Sequence, residues 1–204
     1  CAKKGRGRPK VFDREAALDK AMTLFWQYGY EATSLSDLVE ATGAKAPTLY
    51  AEFVNKEGLF RAVLDHYINR FASKNEACLF CDDQTLLEAL RHYFTAVATC
   101  FTSKDTPAGC FMINTSAALA ASSKEIAKTI KSRHAVQEQT LCQFLQLRQA
   151  RGEIPAEKNV AELAQFLSCI LQGMSISARE GASFETLMQI TETTLRLWPQ
   201  MIAV

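Results

Sequence analysis

The sequence predicts an all-α protein. Apolar residues recur every three or four positions nearly throughout its 204 residues, and alternating strand patterns are almost absent. Glycine and proline, nine and five in number, are too scarce for a low-complexity chain. About nine helices are expected.

Asp13 suits the N-cap of a first helix, with Ala17, Leu18, Ala21, Leu24 and Phe25 on one side and Gly29 as its stop. Ser34 with Asp37 resembles a capping box with a short acid. It opens a second helix whose apolar face is Leu35, Leu38 and Val39, ended by Gly43. Pro47 fits a first helical turn and disfavours helical geometry at Ala46, so the third helix is expected from Pro47 to Phe53. Asn55 caps a fourth through Leu59, Phe60, Val63, Leu64, Tyr67 and Phe71 toward Asn75.

Asp83 is the expected cap of a fifth helix reaching about Ser103, and Gly109 to Ala121 reads as a short apolar sixth. Ser123 caps a long seventh that ends near Gly152, and Pro155 breaks the chain before an eighth from Asn159. After Gly181 a ninth begins near Ser183 and is expected to falter at Pro199, which has no backbone N–H to donate.

The net charge is only +1, yet Lys3, Lys4, Arg6, Arg8 and Lys10 crowd the first ten residues without an acid. A basic arm on a mildly acidic body suits a polyanion, because each phosphate it neutralises releases counterions. A solvated tail is the plainer alternative. Seven cysteines, an odd number spaced along helices, fit a reducing cytoplasm better than a disulfide framework. No apolar run approaches the roughly 20 residues of a membrane span, and no leader is recognised, so a cytoplasmic chain with no membrane partner is expected. The expected organisation is a basic arm over 1–12, a helix-turn-helix domain over 13–56 and a helical effector-binding and dimerisation domain over 57–204.

The functional signal lies between Leu35 and Phe53, where two short helices flank a turn at Gly43, as in a helix-turn-helix. At about 100° per residue, Leu49 and Phe53 share the inward face of the third helix. Pro47, Ala51 and Val54 then point away, with Thr48 and Tyr50 on the flanks. Small side chains permit close approach to a major groove. Thr48 offers a hydroxyl and a methyl to base edges, and the Tyr50 hydroxyl can reach phosphate. Lys56 adds a backbone charge, and Thr33 and Ser34 can donate to another phosphate at a helix start.

The string Phe25, Gly29, Tyr30, Thr33, Ser34, Leu38, Ala41, Gly43, Thr48, Leu49, Tyr50, Phe53, Lys56, Glu57, Leu59 and Phe60 resembles the signature of the TetR family of repressors. The resemblance is dense over the first quarter of the chain. It implies a nine-helix subunit in which helices one to three bind double-stranded operator DNA, the fourth connects, and the last two pair with a second copy in a four-helix bundle. It also implies that Thr33, Ser34, Tyr50 and Lys56 contact phosphates while Pro47, Thr48 and Ala51 face bases. Lys45 stands where relatives often carry serine, at the edge of the same surface. Glu52 stands where many carry a basic or aromatic residue; it either accepts from a cytosine amino group or pairs with a nearby base. The operator is expected to be a pseudo-palindrome with half-sites about one turn, roughly 34 Å, apart, with Arg6 and Arg8 of the arm along its flanks or in the minor groove.

In the same family ligands enter between helices five and eight. Phe94, Phe101, Phe111, Met112 and Phe166 fit a cavity for a small hydrophobic effector, and equally a plain core. Cys110 opens an apolar helix, where the positive helix end can favour thiolate, so a redox or electrophile sensor is one reading and a buried small hydrophobe the other. Leu163, Phe166, Leu167, Ile170, Leu187, Ile190, Leu195 and Trp198 are the expected dimer contacts. The Cys78–Cys81 pair lacks a second pair or histidine at zinc spacing, and His66, His92 and His134 are scattered, so no metal or cofactor is expected. No phosphate loop, nucleophile elbow or defensible carboxylate pair suggests an enzyme. A helical ligand-binding or thiol redox-sensing protein without operator binding is the alternative function.

Overall fold

The computed structural model describes residues 12–81, 83–117, 119 and 123–203. Arg6 and Arg8 of the basic arm lie outside the described residues. All regular structure among the described residues is helical: α1 (Arg14–Ala32), α2 (Leu35–Thr42), α3 (Ala46–Phe53), α4 (Lys56–Tyr67), α5 (Leu86–Phe101), α6 (Phe111–Ala117), α7 (Lys124–Ala150), α8 (Val160–Arg179) and α9 (Phe184–Ile202).

The caps explain most boundaries. Asp13 accepts from Ala16 N at 3.1 Å to start α1. Gly29 breaks that helix with φ 82° and ψ 170°, and one further turn follows to Ala32. Gly43 ends α2 at φ 68°, a left-handed cap that glycine adopts without a Cβ clash. Asn55 accepts from Gly58 N at 2.8 Å and starts α4.

Four expectations are corrected. Ala46 is helical despite preceding Pro47; the missing proline N–H costs no ladder bond in a first helical turn. α4 does not simply loosen at its end: a π-helical turn (Ile68–Ala72), a short α turn (Ser73–Ala77) and a 3-10 turn (Cys78–Phe80) carry the rod on. Cys78 and Cys81 therefore belong to that rod and its end, their thiols facing the carbonyls of Lys74 and Ala77 at 3.8 Å. Thr85 and not Asp83 caps α5, because Thr85 and Glu88 close a reciprocal capping box, with Thr85 N donating to Glu88 at 2.8 Å. α9 runs past Pro199 to Ile202. The missing N–H falls in the last turn, where a single ladder bond is lost, and half-buried Met201 and Ile202 still pack on the core.

One apolar core runs from Leu18 in α1 to Trp198 in α9. α1 and α4 pack together and α1 also meets α6, while α7 lies along α8 and α9 along α5. By length and apolar composition α8 would suffice to cross a membrane, against the expectation that no run approaches a span. Its inner face, Ala164, Leu167, Leu171 and Met174, is buried in the subunit.

The dimer expectation is corrected in part by this packing. Leu167, Leu187, Leu195 and Trp198 are at most 4% exposed within the single chain and so cannot meet a partner. Phe166, Ile176 and Leu197 are the large apolar side chains that α8 and α9 leave exposed, with Leu163, Ile170 and Ile190 half-buried beside them.

Candidate nucleic-acid interface and the cavity behind it

The helix-turn-helix is built as its spacing suggests. Leu49 and Phe53 anchor α3 inward, while Lys45, Pro47, Tyr50, Ala51 and Glu52 are exposed and Thr48 is half-exposed. No side chain caps the start of α3, which leaves Lys45 on the open surface.

Glu52 is not poised toward a groove. Its carboxylate accepts from Arg14 Nε at 2.7 Å, and the same guanidinium lies 5.4 Å from the Phe53 ring centre. The nearby-base alternative for Glu52 is the one the geometry contains. Arg14, unremarked in the sequence, thus ties α1 to the recognition helix.

Thr33 requires a correction. It is 1% exposed, and its hydroxyl donates to Gly29 O at 2.8 Å. That bond clasps the break in α1, so the side chain is unavailable to phosphate. Ser34 remains exposed; its hydroxyl accepts from Asp37 N at 3.1 Å while its own N–H donates to Asp37 at 2.7 Å. Hydrogen bonds to its carboxylate from the Ser34 side chain, and then from the Ser34 N–H, hold the Asp37 carboxyl below its usual range. Lys56 has its ammonium 4.4 Å above the Tyr30 ring and 3.5 Å from Glu31 O. Burial lowers its pKa, against the opposing pull of Glu31 and Asp37.

The joint between α3 and α4 went unnoticed in the sequence. Val54 has φ 69° and ψ −51°, and Asn55 N donates back to Phe53 O at 2.8 Å. This is a γ-turn of the strained hand, rare for any residue and worse for a β-branched one. A Cβ at Gly58 would stand 2.0 Å from Phe53 O, so no other residue fits there without moving the turn. The glycine inside a helical pattern was the available signal.

Behind the head, the expected cavity residues divide. Phe101 and Met112 line a small internal cavity with Tyr67, Val97, Cys110 and Gln137. Phe94 and Phe111 are core residues, 1% and 0% exposed, and Phe166 lies on the outer face of α8. The cavity measures about 20 Å3, room for about one water. A hydrophobic effector cannot enter it without rearrangement.

Cys110 is buried beneath Tyr67, whose hydroxyl lies 3.3 Å from its sulfur. Burial raises the thiol pKa, outweighing the hydrogen bonds from Tyr67 and the backbone of Ile113 and Met112. Of the two readings of Cys110, the geometry favours the buried small hydrophobe over the thiolate: desolvation defeats the helix end. Ser175 accepts from Cys110 N at 2.8 Å, and a Cβ on Gly109 would meet Ser175 O at 2.7 Å. The Gly109–Cys110 corner is thereby locked onto α8.

Residues 17–63 match the family model described as bacterial regulatory proteins, tetR family, and residues 87–189 match the tetracyclin repressor-like C-terminal domain. The HTH-type transcriptional repressor ComR of Escherichia coli (strain K12) is 72% identical over 202 residues, covering 99% of this chain and 96% of that protein. The HTH-type transcriptional repressor BdcR of the same strain is 31% identical, covering 89% and 86%. Among solved structures, a cysteine mutant of the TetR family regulator CifR, complexed with a 26-base-pair operator duplex, superimposes with a TM-score of 0.89. It is 31% identical, and the match covers 94% of this chain and 100% of that one. The chain belongs to the TetR family of bacterial regulatory proteins.

Proposed function

We propose that this protein is a cytoplasmic transcriptional repressor that binds a pseudo-palindromic operator as a homodimer and leaves it when an effector enters the C-terminal domain. The observation that carries the reading is the exposed face of α3, where Lys45, Pro47, Thr48, Tyr50 and Ala51 stand clear of the core on a helix fixed by Leu49 and Phe53. Ser34 and Lys56 flank that face and fit phosphate contacts. A complex of the similar CifR with operator duplex supports the same use here.

Charge assigns the arm a role. From Phe12 to Lys56 the basic side chains are Arg14, Lys20, Lys45 and Lys56, against seven acids. The head alone is a poor polyanion binder, so Arg6, Arg8 and their neighbours supply the long-range attraction. Phe166, Ile176 and Leu197 on the outer faces of α8 and α9 are the apolar groups available for a second copy, with Leu163, Ile170 and Ile190 at their margins.

Release requires the effector to prefer a state with differently spaced heads, and it shifts the population only to the extent of that preference. A small electrophile reaching Cys110 or a small hydrophobic molecule would have to open the inner cavity first. Selection of duplexes from a random pool at physiological salt tests the operator reading. An enriched palindrome bound by two chains is expected. Enrichment of no sequence would overturn it in favour of a ligand-binding protein without an operator.

A further inference from the structure

A second and larger hollow opens beside the inner cavity, between α6, α7 and α8. Its volume is about 630 Å3, and its lining includes Ile113, Lys124, Ala127, Lys131, His134 and Gln172. That size falls within the roughly 300–1,000 Å3 of small-molecule sites. Lys124, Ala127, Lys131 and His134 recur at three- and four-residue steps, so they form one stripe of α7.

The chemistry of this stripe is one-sided. Among the described residues, no Asp or Glu lines the hollow, and neither lysine ammonium has a carboxylate within salt-bridge distance. Two cations thus share the lining with the apolar side chains of Ile113 and Ala127. Burial lowers the His134 pKa, which leaves a neutral imidazole able to donate one hydrogen bond and accept another. A cation would be repelled, and an uncharged ligand would leave both ammonium groups unused.

We propose that this hollow binds a small amphipathic carboxylate, with its head on Lys124 and Lys131 and its chain on Ile113 and Ala127. The proposal rests on the reading of the C-terminal domain as an effector domain and names the ligand class. The site lies where an occupant would matter. Ser123, next to Lys124, donates a hydrogen bond to Glu31 at the end of α1. Arg133, next to His134, pairs with Asp65 of α4. The two turns that would carry the ligand are thus the turns that fasten α7 to the DNA head and to its connecting helix. Drawing the lysines toward a carboxylate strains both fastenings.

The test is equilibrium dialysis of the full chain against decanoate, decanol and decyltrimethylammonium below their aggregation concentrations, with binding to a selected duplex followed in parallel. Decanoate is expected to bind about tenfold more tightly than decanol, and the quaternary amine not to bind. Replacing both lysines, Lys124→Gln with Lys131→Gln, should reduce decanoate to the level of decanol. Ile113→Trp should fill the hollow and abolish both while duplex binding persists, which shows that the variant folds. Equal binding of decanoate and decanol, or preference unchanged in the double variant, overturns the proposal. Decanoate bound as expected with the duplex retained upholds the site and instead contradicts release by an occupant of this domain.

Discussion

The ring of Phe111, first residue of α6, stacks on that of Phe60 in α4 with centroids 5.6 Å apart. Phe111 also meets Trp26 of α1 at 6.0 Å and Tyr67 at 5.3 Å. It is the side chain through which the corner at Gly109 and Cys110 touches the DNA head. Any displacement of that corner reaches α1 and α4 through packed rings and not through a loose linker.

Truncating that hub is expected to be costly. Phe111→Ala should destabilise the fold by about 3–5 kcal/mol, the range for a deleted core aromatic. Urea unfolding followed by tryptophan fluorescence would measure it, because Trp26 loses a ring neighbour. A loss below about 1 kcal/mol would contradict the role given to Phe111.

The γ-turn between the recognition helix and α4 makes opposite predictions at neighbouring positions. Val54 is 75% exposed and strained, so Val54→Gly should stabilise the chain by about 1 kcal/mol. Gly58→Ala places a Cβ against Phe53 O and should destabilise the head by several-fold more, with loss of duplex binding. Thermal melts of the two variants against the parent would show shifts of opposite sign.

Acid should loosen the contact between α1 and α4. His66 presents both ring nitrogens to α1, at 2.7 Å from Asp19 and 3.2 Å from Glu15, and Arg70 also pairs with Asp19. Burial pushes the Asp19 carboxyl upward, but its bonds to His66 and Arg70 overcome this and leave it below its ordinary 3.8. A lowered carboxylate contributes stability above its ordinary pKa and loses it as pH falls through the folded value. Unfolding free energy measured from about pH 5 downward should therefore fall less steeply in Asp19→Asn than in the parent, the variant starting lower.

Cysteine reactivity should follow exposure and not helix position. Cys81 and Cys169 are exposed, whereas Cys110 is buried with its pKa raised by desolvation. Brief iodoacetamide treatment near neutral pH, read by peptide mass spectrometry, should modify Cys81 well before Cys110. Preferential labelling of Cys110 would restore the reading of an activated thiol.

What the sequence disclosed was local and periodic. Asp13, Ser34, Gly43, Asn55, Asn159 and Ser183 mark helix ends because their capping chemistry acts within three or four residues. The inward pair Leu49 and Phe53 follows from helical spacing alone. What escaped was tertiary. Thr33 looks like a phosphate donor until the break at Gly29 brings a carbonyl to its hydroxyl. Leu187 and Trp198 look like interface residues because periodicity identifies an apolar face but not which neighbour covers it. The thiol of Cys110 sits at a helix start, yet it lies buried beneath Tyr67 of α4, 43 residues away in sequence. Arg14 and Glu52 are 38 residues apart, and nothing in spacing joins them.

Operator recognition by the open face of α3 is decided by fluorescence-anisotropy titration of a selected duplex and its scrambled counterpart, using the parent chain, Thr48→Ala and Tyr50→Ala. Thr48→Ala should weaken the selected duplex by about 1–3 kcal/mol and narrow its advantage over the scrambled one. Tyr50→Ala should weaken both, with fold stability unchanged because the side chain is exposed. If both variants bind as the parent does, and removal of the first ten residues alone abolishes binding, then α3 does not read DNA and the assignment of this face is wrong.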